Sequence, residues 1–594
     1  AGRQAAGGER QQLLTSLAQA RTTFRLPTVD EVDRARQAAI SQTRSYGAWI
    51  DKLPTGEIAR KAVRLDDLAN QLQRVPADAA ALAELDERLQ RAGGSPQLVA
   101  LERAVDSYLD FVRSRASATL AQDYPARLEE LAAALQADQQ TPSPQSQAQV
   151  REAYERLPHV PGNRELRLRV CREISFPNQV LTASAAFLNE ELSQQPLALA
   201  SDINNKSSGI AVSGRANTQG TVSLVLHPSA AQAEIDVQFH GDARSQLTAS
   251  QGPIHVAERG TAQIMASQIG YLSAEGGIRT GEPVAHASSD IRPSGVGVDM
   301  RSRLLRRVVS NIAWRKAWEK KATSDQQAEQ QIETQIKTAL TLRTAKELAQ
   351  INQMLRSFYP PNATEPTGAP RLSMHTTATH LICGAEFASP WQVAASAPPP
   401  ALTGIQRAML MQIHQSALDP LGASLCGRTI SEPDFRELVF DTLALTPEDP
   451  APPRGCVPLK VTLADRDALN VRFENGLIIV TVKIQSFTAS ARQFELARSI
   501  RVAYRPQIGK DGLEFVRDGA ISVGPQQATE QPDLAELLER VLPRRASTRG
   551  PTIVGGIGQS HHLKVSHISS AEGWLNVAWV HDVNQVAAKH EVQR

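Results

Sequence analysis

The chain has 594 residues, which is more than one hydrophobic core usually organises, so the sequence predicts several domains. Its 64 Lys and Arg residues nearly balance its 62 Asp and Glu residues, so the charge gives no argument for a nucleic-acid partner. No apolar run approaches the roughly 18 residues of a membrane-spanning helix, so we expect no transmembrane helix.

The pattern from residue 1 to 158 is helical throughout and predicts a bundle. Thr28 to Glu31 fits a capping box, and Ser95-Pro96 fits an N-cap followed by proline in the first turn. An extended helical spacer that packs on a partner is the alternative. The polar, proline-containing stretch from Asp138 to Gln147 predicts a loop or hinge, and limited proteolysis is expected to cut there first.

The periodicity changes near residue 160, where we place a domain boundary. Leu166, Leu168 and Val170 alternate with polar residues, which predicts a strand within Glu165 to Val180.

The range 159–395 is predicted to form an antiparallel sheet packed on a long helix. Apolar residues alternate with polar ones between Ser208 and Asp290, and short turn signals separate the strands. The segment from Arg301 to Phe358 follows with helical spacing, loosened near Thr323 to Asp325, and we expect it to cover the sheet. Its apolar positions are Leu305, Val308, Val309, Ile312, Ile332, Ile336, Leu340, Leu348, Ile351 and Leu355. Strand returns over Arg371 to Phe387.

The range 396–455 is predicted to be a helical connector. The proline-rich stretches Ser396 to Pro400 and Pro447 to Pro453 bracket two predicted helices, Gly404 to Leu418 and Glu432 to Leu443. Neither stretch carries a PxxP motif with flanking basic residues, so both are interpreted as linkers.

The range 456–594 is predicted to be a second β-rich unit with a short helix. Asn475-Gly476 and Asp511-Gly512 are hairpin signals, a helix is expected after Asp533, and an alternating strand runs through Leu575 to Trp579. The predicted fold class is therefore α+β, with an all-helical N-terminal domain followed by antiparallel sheet units packed on long helices.

Four cysteines, Cys171, Cys383, Cys426 and Cys456, are scattered without a CxxC pair. They are compatible with two disulfides in an oxidising compartment or with buried thiols. The chain begins at Ala1 without methionine, as a mature form or a cloned fragment would.

Three groups of residues are candidate sites, and none of them predicts a functional site. Gly555 to Gly558 lacks the Gly-Lys-Ser/Thr ending of a phosphate loop. His375 and His380, five apart in a predicted strand, point to opposite faces. His561, His562 and His567 form the densest histidine group, which is more typical of adventitious metal binding. We therefore expect no catalytic residues, no cofactor and no required metal.

The start of the long helix carries a basic cluster, Arg301, Arg303, Arg306 and Arg307. Positive charge at a helix N-terminus opposes the helix dipole, so acids or an anionic surface must compensate it. A solvated face is the simpler interpretation. No GxSxG, HExxH or nucleophilic-cysteine motif is present, so the sequence predicts no enzyme.

Two resemblances add to these patterns. The runs VSLVLHPSAAQAEIDVQFHGDARSQ (222–246), RRVVSNIAWRKAWEKK (306–321) and EGWLNVAWV (572–580) resemble an uncharacterised family of large cell-envelope or secreted proteins of planctomycete bacteria, which implies no activity. A short strand and helix such as VLTASAAFLNEEL (180–192), placed before strands around long helices, is similar in element order to tubular lipid-binding domains. That resemblance implies a lipid ligand.

The sequence favours a non-catalytic structural subunit of a larger assembly in the periplasm or cell envelope, secreted after loss of a signal peptide and associated as a homo- or hetero-oligomer. The alternative is a carrier of lipid or another apolar ligand, which requires a long apolar tunnel. A hydrolytic enzyme is third, and requires His, Asp or Glu side chains that converge in a polar pocket.

Overall fold

The computed structural model describes residues 2–581 with gaps. The gaps are 93–94, 142, 194–196, 208–209, 275–276, 358–369, 389–391, 406, 432–445, 448–459, 490–491, 510–511, 525–541, 543, 550–551 and 555–559.

The N-terminal region is helical, as predicted. Its helices are α1 (Gly2–Thr23), α2 (Val29–Ile50), α3 (Gly56–Ala62), α4 (Leu65–Gln73), α5 (Ala79–Ala92), α6 (Pro96–Ala116), α7 (Leu120–Gln140), α8 (Pro144–Glu155) and α9 (Arg164–Ile174). Helices α2 to α6 share one apolar core, whereas α1 and α7 to α9 share another. The Thr28 capping box and the Ser95 N-cap are both formed, which confirms these helix starts.

Two predictions in this region are wrong. The predicted hinge at 138–147 consists mostly of the end of α7 and the start of α8, and buried Asp138 accepts hydrogen bonds from Arg10 (3.1 Å) and Ser146 (2.7 Å). The strand predicted from Leu166, Leu168 and Val170 is helix α9. Val170 and Ile174, four residues apart, face the core, so the short alternation concealed a helical stripe.

A sheet of long strands forms the middle of the chain. Its strands are β2 (Leu197–Ser207), β3 (Ile210–His227), β4 (Ala233–Gln251), β5 (Ile254–Leu272), β6 (Ile278–Thr280) and β7 (Val284–Val298). The order is β2-β3-β4-β5, with β6 and β7 both pairing antiparallel with β5. The predicted antiparallel sheet is therefore confirmed, and we call it the long-strand sheet.

Helix α12 (Lys321–Ser357) covers the inner face of this sheet and follows α11 (Arg303–Glu319) after a break at Lys320. Ile336, Leu340 and Leu348 of α12 are buried, as predicted. A Cβ atom at Gly270 would lie 2.4 Å from the Leu348 side chain, so the missing side chain lets α12 approach β5 closely.

Acidic side chains of α12 bind the outer edge of β7. Glu333 accepts a hydrogen bond from the amide of Ala287 at 3.2 Å, and Glu329 accepts one from Ser289 at 2.9 Å. Asp325 accepts from the amide of Ile291 at 2.7 Å. Amide groups that an edge strand would leave open are thus paired with a helix.

We predict that Glu329→Ala weakens this edge. Loss of the acceptor leaves a partly buried amide unpaired, which costs about 1–3 kcal/mol, so the Ser289 amide should exchange its hydrogen about tenfold faster or more. Hydrogen exchange followed by mass spectrometry measures this. The control is Gln327→Ala, an exposed position on the same helix. Equal exchange in the two variants would contradict the role of the carboxylate.

A central sheet joins distant parts of the chain. Its order is β20 (Thr552–Val554), β21 (Ser560–Ala571), β22 (Trp574–His581), β10 (Met409–His414), β1 (Gln179–Ser184), β9 (His380–Glu386) and β8 (Arg371–Thr376). The predicted return to β structure over 371–387 is confirmed, although as two strands, and so is the predicted strand at 575–579. The helix predicted over Gly404 to Leu418 is wrong, because β10 lies between β1 and β22 and is buried on both faces. The continuous apolar run from Ala408 to Met411 does not distinguish such a strand from a helix.

The third sheet lies in the C-terminal part. It contains β11 (Thr429–Ser431), β12 (Thr446–Pro447), β13 (Lys460–Leu463), β14 (Leu469–Glu474), β15 (Leu477–Ala489), β16 (Arg492–Ile508), β17 (Gly512–Arg517), β18 (Ser522–Gly524) and β19 (Arg545–Arg549). The Asn475-Gly476 hairpin between β14 and β15 is confirmed, with φ of 52° and 76°. Two short helices are also present, α10 (Ala185–Ser193) and α13 (Asp419–Leu425).

The α+β fold class is confirmed. Several predicted features lie outside the described residues: the helix over Glu432 to Leu443, the helix after Asp533, residue Asp511 of the second hairpin and most of the proline-rich stretch at 447–453. The central sheet takes strands from three of the four predicted ranges, 159–395, 396–455 and 456–594. The bounds of those ranges stay predictions.

Buried carboxylates lie where the two helical groups meet. Arg164 of α9 contacts Glu102 and Asp106 of α6 at 3.5 and 3.3 Å, whereas Asp110 is 7% exposed and lies deeper. Burial, reinforced by the charge of Asp106, raises the pKa of Asp110 from 3.8 to about 7. The folded chain therefore holds this proton more tightly than the unfolded chain.

We predict that the helical region becomes more stable as the pH falls from about 7 toward 3.8, where Asp110 is protonated only in the folded state. Asp110→Asn should reduce this pH dependence, to which Asp86 also contributes because burial raises its pKa, and should raise the free energy of unfolding at pH 8 by roughly 1–3 kcal/mol. Urea denaturation followed by helical circular dichroism measures both effects. Exposed Glu165→Gln is the control, and a similar gain in that variant would argue against a role of burial.

Candidate functional site

The inner side of α11 packs on β7 and β5 through small side chains. Ser302 caps the helix, because its hydroxyl accepts a hydrogen bond from the amide of Leu305 at 3.5 Å. Ala313 is buried, and Val309 and Ala317 are half-buried on the same side. These residues are spaced four apart and define the face turned toward the sheet.

The outer side of α11 is apolar and exposed, which corrects the predicted role of this helix as a cover. Leu304, Leu305 and Val308 are 81%, 60% and 57% exposed, and Ile312 is 49% exposed. These four side chains lie within about 100° around the helix axis and form one continuous stripe. We call them the outer stripe. A helix in a soluble domain usually turns such residues toward the core.

Two tryptophans extend the exposed apolar surface. Trp314 and Trp318 are 40% and 46% exposed and lie one helical turn apart, beside the outer stripe. Tryptophan combines a large apolar ring with one polar N–H group and is enriched where apolar and aqueous phases meet.

The same segment is strongly basic. Residues 301–321 contain eight basic side chains and one acidic side chain, Glu319. Several of the basic side chains form no ion pair with another described residue: Arg301, Arg303, Arg307, Arg315, Lys316 and Lys320. The predicted need for acids or an anionic surface at this helix start is therefore not met from the described part of the chain.

Charged contacts fix the end of α11 to the sheet. The Lys321 ammonium lies 2.8 Å from Asp290 of β7 and 2.6 Å from Asp325 of α12. Hydrogen bonds and charge from Lys321, followed by Arg292, lower the pKa of Asp290. The junction between α11 and α12 is thereby tied to the edge strand, so the outer stripe faces away from the sheet.

The other candidate residues do not form a site together. Gly555 to Gly558 lies outside the described residues. His375 lies in β8 and His380 in β9, so the predicted single strand is wrong. The hairpin register places His375 opposite Ile382, two residues from His380, so the two histidines share one face and the predicted opposite faces are also wrong. His561, His562 and His567 all belong to β21, although the side chains of the first two are not described. The described residues contain no cluster of three His, Cys, Asp or Glu side chains suited to a metal.

The three described cysteines lie in different parts of the fold. Cys171 is buried in α9 and its thiol donates to the carbonyl of Gln392 at 3.3 Å, whereas Cys383 is buried in β9 and Cys426 is half-buried. No disulfide joins these three described cysteines, and Cys456 lies outside the described part.

One group of residues has the composition of a hydrolase triad. Ser250 Oγ lies 2.9 Å from His255 Nδ1, and His255 Nε2 lies 3.2 Å from Asp299 Oδ2. The aspartate is 81% exposed, whereas a catalytic triad keeps its aspartate buried to orient the imidazole. We interpret these contacts as a link between the β4–β5 hairpin and the start of α11.

Two grooves stand out on the described surface, and neither is an apolar tunnel. One, of about 540 Å³, is lined by residues of the third sheet such as Lys483 and Arg498. The other, of about 450 Å³, lies across the outer face of the long-strand sheet and includes His240, Met265 and His286. The space between α12 and the long-strand sheet is occupied by buried side chains.

No helix in the described ranges is both long enough and apolar enough to cross a bilayer. The chain matches no protein family and no curated protein sequence.

Two solved structures align over much of the chain. A lipopolysaccharide-binding protein is 11% identical, with a TM-score of 0.25, and the alignment covers 68% of this chain and 98% of that one. The P47 protein from Clostridium botulinum A2 is 7% identical, with a TM-score of 0.22, and covers 68% of this chain and 97% of that one. TM-scores this low do not establish a shared fold. The planctomycete resemblance stays a prediction.

Proposed function

We propose that this protein acts without catalysis at a membrane surface of the cell envelope, and that α11 binds the anionic face of a lipid bilayer. The outer stripe carries the proposal, because it places four aliphatic side chains outward on a helix that is also basic. A helix with this combination lies in the interface, with its apolar residues among acyl chains and its cations among headgroups.

The charges of α11 favour lipid over an apolar protein surface. Each Lys or Arg near an anionic leaflet contributes about 1 kcal/mol, and six basic side chains here have no described acidic partner. The tryptophans suit the headgroup level. A purely apolar protein partner would leave these cations desolvated and unpaired, which is unfavourable.

We predict that the full chain binds vesicles containing 30% phosphatidylglycerol and binds neutral phosphatidylcholine vesicles far more weakly. Arg303→Gln with Arg307→Gln should reduce the partition coefficient by roughly tenfold or more, because two contributions of about 1 kcal/mol are lost. Added salt should weaken binding, since it screens exposed charges. Cosedimentation measures the bound fraction, and Arg244→Gln with Arg259→Gln, on the outer face of the long-strand sheet, is the control pair.

We further predict that Leu304→Ser with Leu305→Ser weakens vesicle binding at least tenfold without unfolding the protein, because both side chains are exposed and gain apolar contact only in lipid. The matched control is Leu342→Ser, which is 71% exposed on α12. Trp314 and Trp318 should shift their fluorescence to the blue on binding, and Trp314→Phe with Trp318→Phe should abolish that shift.

Two outcomes would reject the proposal. One is equal binding to neutral and anionic vesicles, and the other is full binding by the Leu304 and Leu305 variant. Capture of α11 by a protein, with no affinity for vesicles, would also count against it. The carrier alternative, the lipid ligand and the predicted oligomer stay predictions.

A further inference from the structure

The outer face of the long-strand sheet carries a row of three side chains with nitrogen and sulfur donors. His240 of β4 is the direct cross-strand neighbour of Met265 on β5, and Met265 is the neighbour of His286 on β7. Directly opposed residues share one face of a sheet, with Cβ atoms about 4.5–5.5 Å apart. The two imidazoles therefore flank the thioether on both sides.

All three side chains are available to a ligand. Met265 is 61% exposed, an unusual position for a long apolar side chain, and both histidines are exposed. Neither imidazole forms a hydrogen bond or an ion pair with another described residue. Their inward neighbours Phe239, Ile264 and Ala285 are buried in the core and hold the three strands in register.

The row lies in a groove of about 450 Å³. Asp242, Gln263 and Ser288 form the adjacent row on the same face and complete its lining. The groove lies on the outer face, away from α12, and does not depend on the membrane contact of α11.

We propose that His240, Met265 and His286 bind a soft monovalent metal ion, copper(I), through two imidazole nitrogens and the thioether sulfur. An ion above the Met265 sulfur lies within reach of one ring nitrogen from each side. Thioether and imidazole donors favour copper(I), whereas zinc sites use thiolate, imidazole and carboxylate, and magnesium and calcium sites use oxygen. The row itself contains no carboxylate, which disfavours the hard cations.

Local sequence spacing does not indicate this row, because His240 and His286 come together only through the pairing of three strands. A required metal is not implied, because the side chains lie on the surface and the core is closed beneath them.

The test uses silver(I), which has the same charge and donor preference as copper(I) and does not change oxidation state. The full chain is prepared without an affinity tag, labelled with ¹³C-methyl methionine and treated with N-ethylmaleimide to block accessible thiols. Silver nitrate is titrated at pH 7.5 in buffer without chloride. We expect one of the six methionine methyl signals to shift with the first equivalent, and that signal to be missing in Met265→Leu.

Silver affinities of single variants test which side chains bind the ion. Met265→Leu, His240→Asn and His286→Asn should each weaken silver binding at least tenfold, whereas His255→Asn, on the same sheet outside the row, should leave it unchanged. A competition between the protein and a copper(I) chelator under anaerobic conditions should give the same order. All replaced side chains are exposed or half-exposed, so the variants should fold.

Three results would overturn the proposal. Full affinity in Met265→Leu would exclude the thioether, and full affinity in both histidine variants would exclude the imidazoles. Loss of binding on replacing His561 and His562 by Ala, with the row intact, would assign the ion to the adventitious histidine group.

Discussion

The contact between α12 and the open edge of β7 determines how the middle of this protein is arranged. Amides two residues apart on a strand are spaced by about 6.7 Å, and carboxylates four residues apart on a helix by about 6 Å. Asp325, Glu329 and Glu333 follow the helical step, and Ile291, Ser289 and Ala287 follow the strand step in the opposite direction. Because these two spacings nearly match, one helix can accept the hydrogen bonds of the edge-strand amides in place of a further strand.

That contact also sets the orientation of α11. The break at Lys320 and the pairing of Lys321 with Asp290 leave α11 on the same edge, with Val309, Ala313 and Ala317 on the side turned toward the sheet. Small residues face inward and large residues face outward, the reverse of an ordinary amphipathic helix. An arrangement of this kind leaves apolar area exposed on a folded domain, which is typical of a binding surface.

Local sequence patterns predicted the helices and strands better than they predicted which faces of those elements are buried. The alternation in β3 to β5, the Asn475-Gly476 turn and the Thr28 capping box all depend on neighbouring residues, so sequence was sufficient. Strand β10 was not predicted because a short continuous apolar run, Ala408 to Met411, fits a strand and a helix equally well. Leu305, Val308 and Ile312 of the outer stripe were predicted to cover the sheet, because helical spacing shows which residues share a face but not which face the fold covers.

The central sheet constrains the order in which parts of the chain can fold. Strand β1 lies between β10 and β9, and β10 in turn pairs with β22, which begins almost four hundred residues after β1. Pairing across such separations is slow, because the intervening chain must first be brought together. During synthesis the N-terminal helices can pack early, whereas one edge of β10 stays open until β22 has emerged, and a holding factor would protect that edge meanwhile.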